Sequence, residues 1–174
     1  MKKIKTKNSV AEHRSRSHDK ACVAVITLSS SRTLASDQSG DMIQGLLERE
    51  GHVVVARMVL KDNRNRLKAA LNALIRRKKV QAIITTGGTG LSSTDITVET
   101  VKGMLEKELP GFNALFMQLS YPRVKSAAML SRALAGAIKG KMIFCLPGSP
   151  RACKLAMESL ILPELGHTLM ILGS

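Results

Sequence analysis

Hydrophobic and polar positions fall into blocks that switch between two periods along this chain. Cys22 to Leu28 is a continuous apolar run, as a strand buried on both faces requires. A polar loop, Ser36-Asp37-Gln38-Ser39-Gly40, follows, and Met42, Ile43, Leu46 and Leu47 then mark one helical face that ends near Gly51. His52 to Leu60 is rich in β-branched residues and reads as a second strand, and Leu67, Leu71, Leu74 and Ile75 have helix spacing. Val80 to Thr86 reads as a third strand, and Asp95 to Leu105, with apolar Ile96, Val98, Val101 and Leu105, as a third helix. This β-α-β-α-β-α order predicts a parallel sheet with helices on both faces.

The pattern changes after Pro110. Ala127 to Leu134 is apolar and small, and the runs Leu134 to Ile138 and Lys141 to Leu146 flank Lys139-Gly140 as the arms of a tight hairpin. Ser149 can cap a helix whose first position is Pro150, with Leu155, Leu160 and Ile161 inside and Pro163 at its end. The expected fold class is α/β: a three-layer α/β/α sandwich with a mostly parallel central sheet and a C-terminal hairpin.

The richest local feature is Thr85-Thr86-Gly87-Gly88-Thr89-Gly90, where a strand stops and three glycines fall within four positions. Glycines let the backbone turn sharply and bring its N–H groups close to a ligand. A strand, a glycine turn and a helix start together form a natural site for an anion, although a tight turn without a ligand has the same local pattern. The stretch is no P-loop, since no Gly-x-x-x-x-Gly-Lys-Ser/Thr occurs. It is no dinucleotide fingerprint either, because Leu91, Ser92 and Ser93 follow Gly90 where a third glycine is needed.

Composition narrows the class. With 174 residues, 44% hydrophobic and 23% charged, the chain is the size and make-up of one soluble domain. Residues 1–20 carry seven Lys or Arg against Glu12 and Asp19 with little apolar content, and read as a basic, disordered tail ahead of a domain spanning 21–174. That tail lacks the apolar centre of a signal peptide, and no apolar run has the length of a membrane span, so the expected location is cytoplasmic and off the membrane. The net charge of +14 favours polyanions and phosphorylated small molecules. Specific nucleic-acid binding is not expected, because Trp is absent and Tyr121 stands alone. Cys22, Cys145 and Cys153 lack metal-ligand spacing, and so do the four scattered histidines.

In a parallel sheet, ligands collect at the carboxyl ends of the strands. Residues 29–40, Asp62-Asn63, residues 86–95 and residues 147–150 should converge there, bringing Asp62 and Asp95 beside the glycine turn. Two carboxylates at a phosphate cradle point to Mg²⁺, which binds one or two carboxylates plus phosphate oxygens. A helix cap or a turn residue is the alternative for each acid.

Taken in order, Thr85-Thr86-Gly87-Gly88-Thr89-Gly90, Asp95-Ile96-Thr97 and Leu146-Pro147-Gly148-Ser149-Pro150 resemble the MoaB/MogA family of molybdenum cofactor biosynthesis proteins. Asp37-Gln38-Ser39-Gly40, Gly51-His52 and Leu130-Ser131-Arg132-Ala133 fit the same family, closer to its MoaB branch. The resemblance implies a three-layer fold assembled as trimers or hexamers. It implies Mg²⁺-dependent adenylylation of molybdopterin by ATP, ahead of metal insertion by a MoeA-type partner, with a non-catalytic molybdopterin carrier as the alternative. Asp62 and Asp95 would be the functional acids holding Mg²⁺. Thr86, Gly87, Gly88, Thr89, Gly90 and Ser92 would hold the phosphates, with Pro147, Gly148, Ser149 and Pro150 as a wall and Ser36 and Asp37 at the rim. Family members often carry an arginine just before the acid of the glycine motif; here Ser92-Ser93-Thr94 stand there, so a cation would come from elsewhere.

Overall fold

The computed structural model describes residues 20–173, so residues 1–19 of the expected basic tail lie outside it. Six strands form one mixed sheet in the order β2-β1-β3-β6-β5-β4. They are β1 (Cys22–Leu28), β2 (Val53–Leu60), β3 (Ala82–Thr86), β4 (Lys107–Glu108), β5 (Leu134–Ile138) and β6 (Lys141–Leu146). β1 pairs in parallel with β2 and β3, and β3 with β6, while β5 runs antiparallel to both β6 and β4.

The continuous apolar runs of β1 and β3 follow from their central position, where both faces are covered. Val23 and Val25 face one layer, which holds α1 (Gln38–Arg49), α4 (Pro110–Val124), α5 (Pro150–Ala156) and α6 (Leu162–Gly173). Ala24, Ile26 and Leu28 face the other, which holds α2 (Arg64–Arg76) and α3 (Thr97–Lys102). This is the three-layer sandwich with its hairpin, whose turn places Lys139 and Gly140 at positive φ.

Several elements depart from the sequence-based expectation. Pro163 does not end the last helix. A π turn over Met157–Ile161 joins α5 to α6, and Ser159, whose carbonyl the proline ring would strike four residues back, lies inside that widened turn. The resulting helix, Pro150–Gly173, has the length and apolarity of a membrane span. Cys153, Ala156, Met157, Ile161 and Leu165 on one face of it are buried in the core.

The helix expected over Asp95 to Leu105 is only Thr97–Lys102, because Asp95 closes a turn on Ser92 before it and Gly103 caps it. α4 has no clear signature in the hydrophobic pattern, since its inner face is just Phe112, Phe116 and Ser120 at four-residue spacing. The apolar stretch from Ala127 to Leu134 begins in a 3₁₀ turn, Lys125–Leu130, and runs on without regular structure to the start of β5.

At the amino-terminal edge of the sheet, His52 Nδ1 accepts a hydrogen bond from the Ala21 N–H at 3.1 Å. Burial holds this imidazole below its ordinary pKa of 6.5, opposed in part by the charge of Glu50. The unfolded chain therefore takes up a proton as the pH falls below about 6.5 that the folded chain resists, and stability declines in that range. Thermal melting followed from pH 7 to pH 5 should show a smaller acid-side loss in His52→Gln than in the wild type; equal slopes would remove His52 from the account.

Candidate functional site

β1, β2, β3 and β6 all deliver their carboxyl ends to one side of the sheet, where the loops that follow them line a cleft of about 700 Å³. Leu28 to Arg32 line it after β1, Asp62 after β2, Gly87 to Gly90 with Thr94 and Asp95 after β3, and Pro147 to Ser149 after β6. The four segments expected to meet thus do so.

The glycine turn forms the centre of this cleft. Gly87 has φ +90° and Gly88 φ +63°, in the left-handed region. A Cβ on Gly87 would lie 2.2 Å from the Leu28 carbonyl oxygen, so only glycine lets this backbone press against β1. Thr97 then fixes the turn from α3, donating its hydroxyl to the Gly87 carbonyl at 2.8 Å and its N–H to the Gly88 carbonyl at 2.9 Å. The Gly87 N–H is bonded to the Leu146 carbonyl. Among the described residues, nothing accepts from the N–H groups of Gly88, Thr89 or Gly90. Three successive backbone donors without acceptors at a cavity wall are the kind of arrangement that suits an anion.

The two acids flank that turn. Asp62 Oδ2 accepts from the Ser30 hydroxyl at 2.7 Å, and its Oδ1 lies 3.3 Å from where a Gly88 Cβ would stand. Asp95 Oδ2 accepts from the Ser92 N–H at 2.9 Å and would meet a Gly90 Cβ at 2.7 Å. Each carboxylate is oriented through one oxygen only, a donor set suited to Mg²⁺ shared with phosphate oxygens. Neither acid caps a helix by its side chain: the residue before α3 is Ile96, and α2 is capped by Asn63. The described residues contain no group of three His, Cys, Asp or Glu that could hold a metal unaided.

Around the core of the site, Thr86 hydrogen-bonds the Pro147 carbonyl at 2.9 Å and Ser39 the Gly148 carbonyl at 2.9 Å, fixing the loop after β6. Ser149 caps α5 through the Ala152 N–H, as expected, and Pro150 is the first residue of that helix. Cys153 lies beneath this loop, 3.0 Å from the Pro147 carbonyl, and burial pushes its thiol up to about 11, so it stays protonated.

Not every expected residue lines the cleft. Thr86, Ser92 and Pro150 do not line it; Thr86 holds the Pro147 carbonyl and the Ser92 N–H holds Asp95. Ser36 is turned back onto Thr33. Asp37 is fully buried: it caps α1 through the Gly40 N–H at 3.0 Å, accepts from Thr27 at 2.7 Å and pairs with Arg57 at 3.1 Å. A carboxylate so engaged holds the base of α1 against β2.

Two cations of the cleft, Arg32 and Arg132, lie in segments that the sequence singles out, but neither is expected there as a site residue. Arg32 braces the loop after β6 through Ser39 and the Gly148 carbonyl, each at 3.3 Å. Arg132 is paired with Glu99 of α3. Burial works against ionisation of Glu99, yet its own backbone N–H and Arg132 hold the carboxyl below its usual range. The motif containing Arg132 is visible in the sequence, but nothing in its spacing points to this cleft, which it reaches from the antiparallel side of the sheet.

Comparison with known proteins gives a consistent picture. Residues 24–167 match a family model described as a probable molybdopterin binding domain. Molybdenum cofactor biosynthesis protein B of Bacillus anthracis is 41% identical over 160 residues, covering 91% of this chain and 95% of that protein. A probable molybdopterin adenylyltransferase of Methanocaldococcus jannaschii is 42% identical over 153 residues, covering 84% and 90%. A crystal structure of a molybdenum cofactor biosynthesis protein B superposes with a TM-score of 0.86 at 40% identity, covering 90% of this chain and 98% of the other.

The geometry separates two glycine substitutions. Gly87→Ala must strain the backbone and push Leu28 aside, and should cost about 1–3 kcal/mol of stability in denaturant unfolding. Gly90→Ala has ordinary φ and should leave stability nearly unchanged, while displacing Asp95 and weakening anion binding. Equal destabilisation by both would contradict this division of roles.

Proposed function

Since this chain belongs to the MoaB/MogA family of molybdenum cofactor biosynthesis proteins, we propose that it adenylylates molybdopterin with Mg²⁺ and ATP before metal insertion. The observation that carries this reading is the row of unpartnered N–H groups at Gly88, Thr89 and Gly90 between the carboxylates of Asp62 and Asp95.

An oxygen of the terminal phosphate of molybdopterin attacks the α-phosphorus of ATP. The bond from that phosphorus to the oxygen bridging to the β-phosphate breaks, and pyrophosphate leaves with the electron pair. The nucleophile is already an anion, so no side chain need deprotonate it. The protein's task is to bring two polyanions together in line, so its rate enhancement comes mainly from positioning and electrostatic stabilisation. The amides of Gly88 to Gly90 hold phosphate oxygens, and Thr97 keeps those amides in place. Asp62 and Asp95 would hold Mg²⁺, which would supply neutralisation of phosphate charge. Pro147, Gly148 and Ser149 form the facing wall.

The product is suited to a MoeA-type protein that inserts the metal. Exposed apolar side chains on and after α4, including Tyr121, Val124, Met129 and Leu130, support assembly as a trimer or hexamer. The domain 21–174 carries the activity in a cytoplasmic setting, and no role is assigned to nucleic acid or membrane.

AMP transfer from ATP to molybdopterin by the purified protein tests this reading. Asp62→Ala and Asp95→Ala should each lower the rate by about 100-fold or more with melting unchanged. Full transfer in both variants would overturn the assignment of the acids. Molybdopterin binding by the wild type without transfer would make the chain a carrier.

A further inference from the structure

We propose that Arg132 is a phosphate-gripping cation of the cleft and that Glu99 is its positioning residue. The inference rests on the adenylyl-transfer reading and adds to it a role for Arg132, of the Leu130-Ser131-Arg132-Ala133 motif, and for Glu99.

Arg132 lines the cleft, whereas Glu99 does not. Glu99 stands in the first turn of α3, the helix whose Thr97 fixes the glycine turn, so the ion pair ties Arg132 to the same frame as the amide row. Arg132 itself comes from the stretch before β5, on the antiparallel side of the sheet. Its side chain is 28% exposed and that of Glu99 43%, and a pair this open adds little stability. The effect of the pair is on where the guanidinium sits.

The guanidinium is a planar fork of five donors. Glu99 engages Nη2, and among the described residues no acceptor meets Nε or Nη1. Nη2 carries a second hydrogen, so the edge that Glu99 does not take still offers two parallel donors for a bidentate contact with a phosphate. Arg32 also lines the cleft, with its Nη1 bracing the loop after β6 through Ser39 and the Gly148 carbonyl, whereas Arg132 approaches from the antiparallel side of the sheet and is held by a carboxylate.

The cleft also calls for such a group. Asp62 and Asp95 bring negative charge to a site for polyphosphate, and the loop that carries Asp95 supplies no cation from Gly87 to Thr94. Arg132 offsets that charge at a phosphate oxygen and does so from outside the glycine loop.

The test measures Mg-ATP affinity by calorimetry, the kcat and KM of AMP transfer, and the melting temperature. Arg132→Gln should weaken Mg-ATP binding or lower kcat/KM by about 10- to 100-fold, the range of a charge-assisted bidentate contact. Arg132→Lys, which keeps the charge and loses the fork, should fall between. Glu99→Gln should lower kcat/KM several-fold with the melting temperature unchanged. If both Arg132 variants match the wild type while Asp95→Ala is impaired, the proposal fails and the adenylyl-transfer reading stands. If only Glu99→Gln matches the wild type, the positioning role fails. A wild-type protein that neither binds Mg-ATP nor transfers AMP would overturn the reading and this proposal with it.

Discussion

The close contact between Gly87 and the Leu28 carbonyl is the constraint on which the site depends. It goes with positive φ at Gly87 and Gly88 immediately after β3, and the next three N–H groups, on residues that line the cleft, meet no acceptor among the described residues. Two parallel neighbours make the contact possible: β1 supplies Leu28, and β6 supplies the Leu146 carbonyl that takes the Gly87 N–H. A buried strand that ends in glycine therefore converts sheet packing into a row of free backbone donors. Their orientation needs no mobile side chain, so little ordering entropy is lost when a phosphate binds.

Charge is layered on that frame. In the proposed function the backbone donors and Arg132 would attract phosphate, while Asp62 and Asp95 would repel it unless a divalent cation were bound. This mixture suits a metal-loaded polyphosphate better than a bare anion. A net charge of +14 across the chain raises the rate at which polyanionic substrates arrive, and does so for any of them. Discrimination therefore belongs to the cleft and its carboxylates rather than to the overall field.

Much of this is legible in the sequence because the relevant signals are local. A continuous apolar run names a central parallel strand, and a glycine cluster at its end names the turn. The Lys139-Gly140 hairpin and the Ser149-Pro150 helix start are equally readable. The departures at the site come mainly from non-local interactions, while those in the helices come from local turns. Asp37 has the composition of a rim residue, but Arg57, twenty positions away on β2, draws it into the core. Pro163 is a helix breaker by type, and only the preceding π turn accommodates it. Arg132 reaches the cleft because an antiparallel strand pair folds its segment back toward α3, a placement no spacing rule encodes.

The most direct measurement is a crystal structure of the protein with Mg²⁺ and an ATP analogue whose α–β bridge is a methylene group and cannot be cleaved. The account predicts phosphate oxygens on the N–H groups of Gly88 to Gly90, with the metal between them and the carboxylates of Asp62 and Asp95. A nucleotide bound elsewhere, with those amides unengaged, would contradict it.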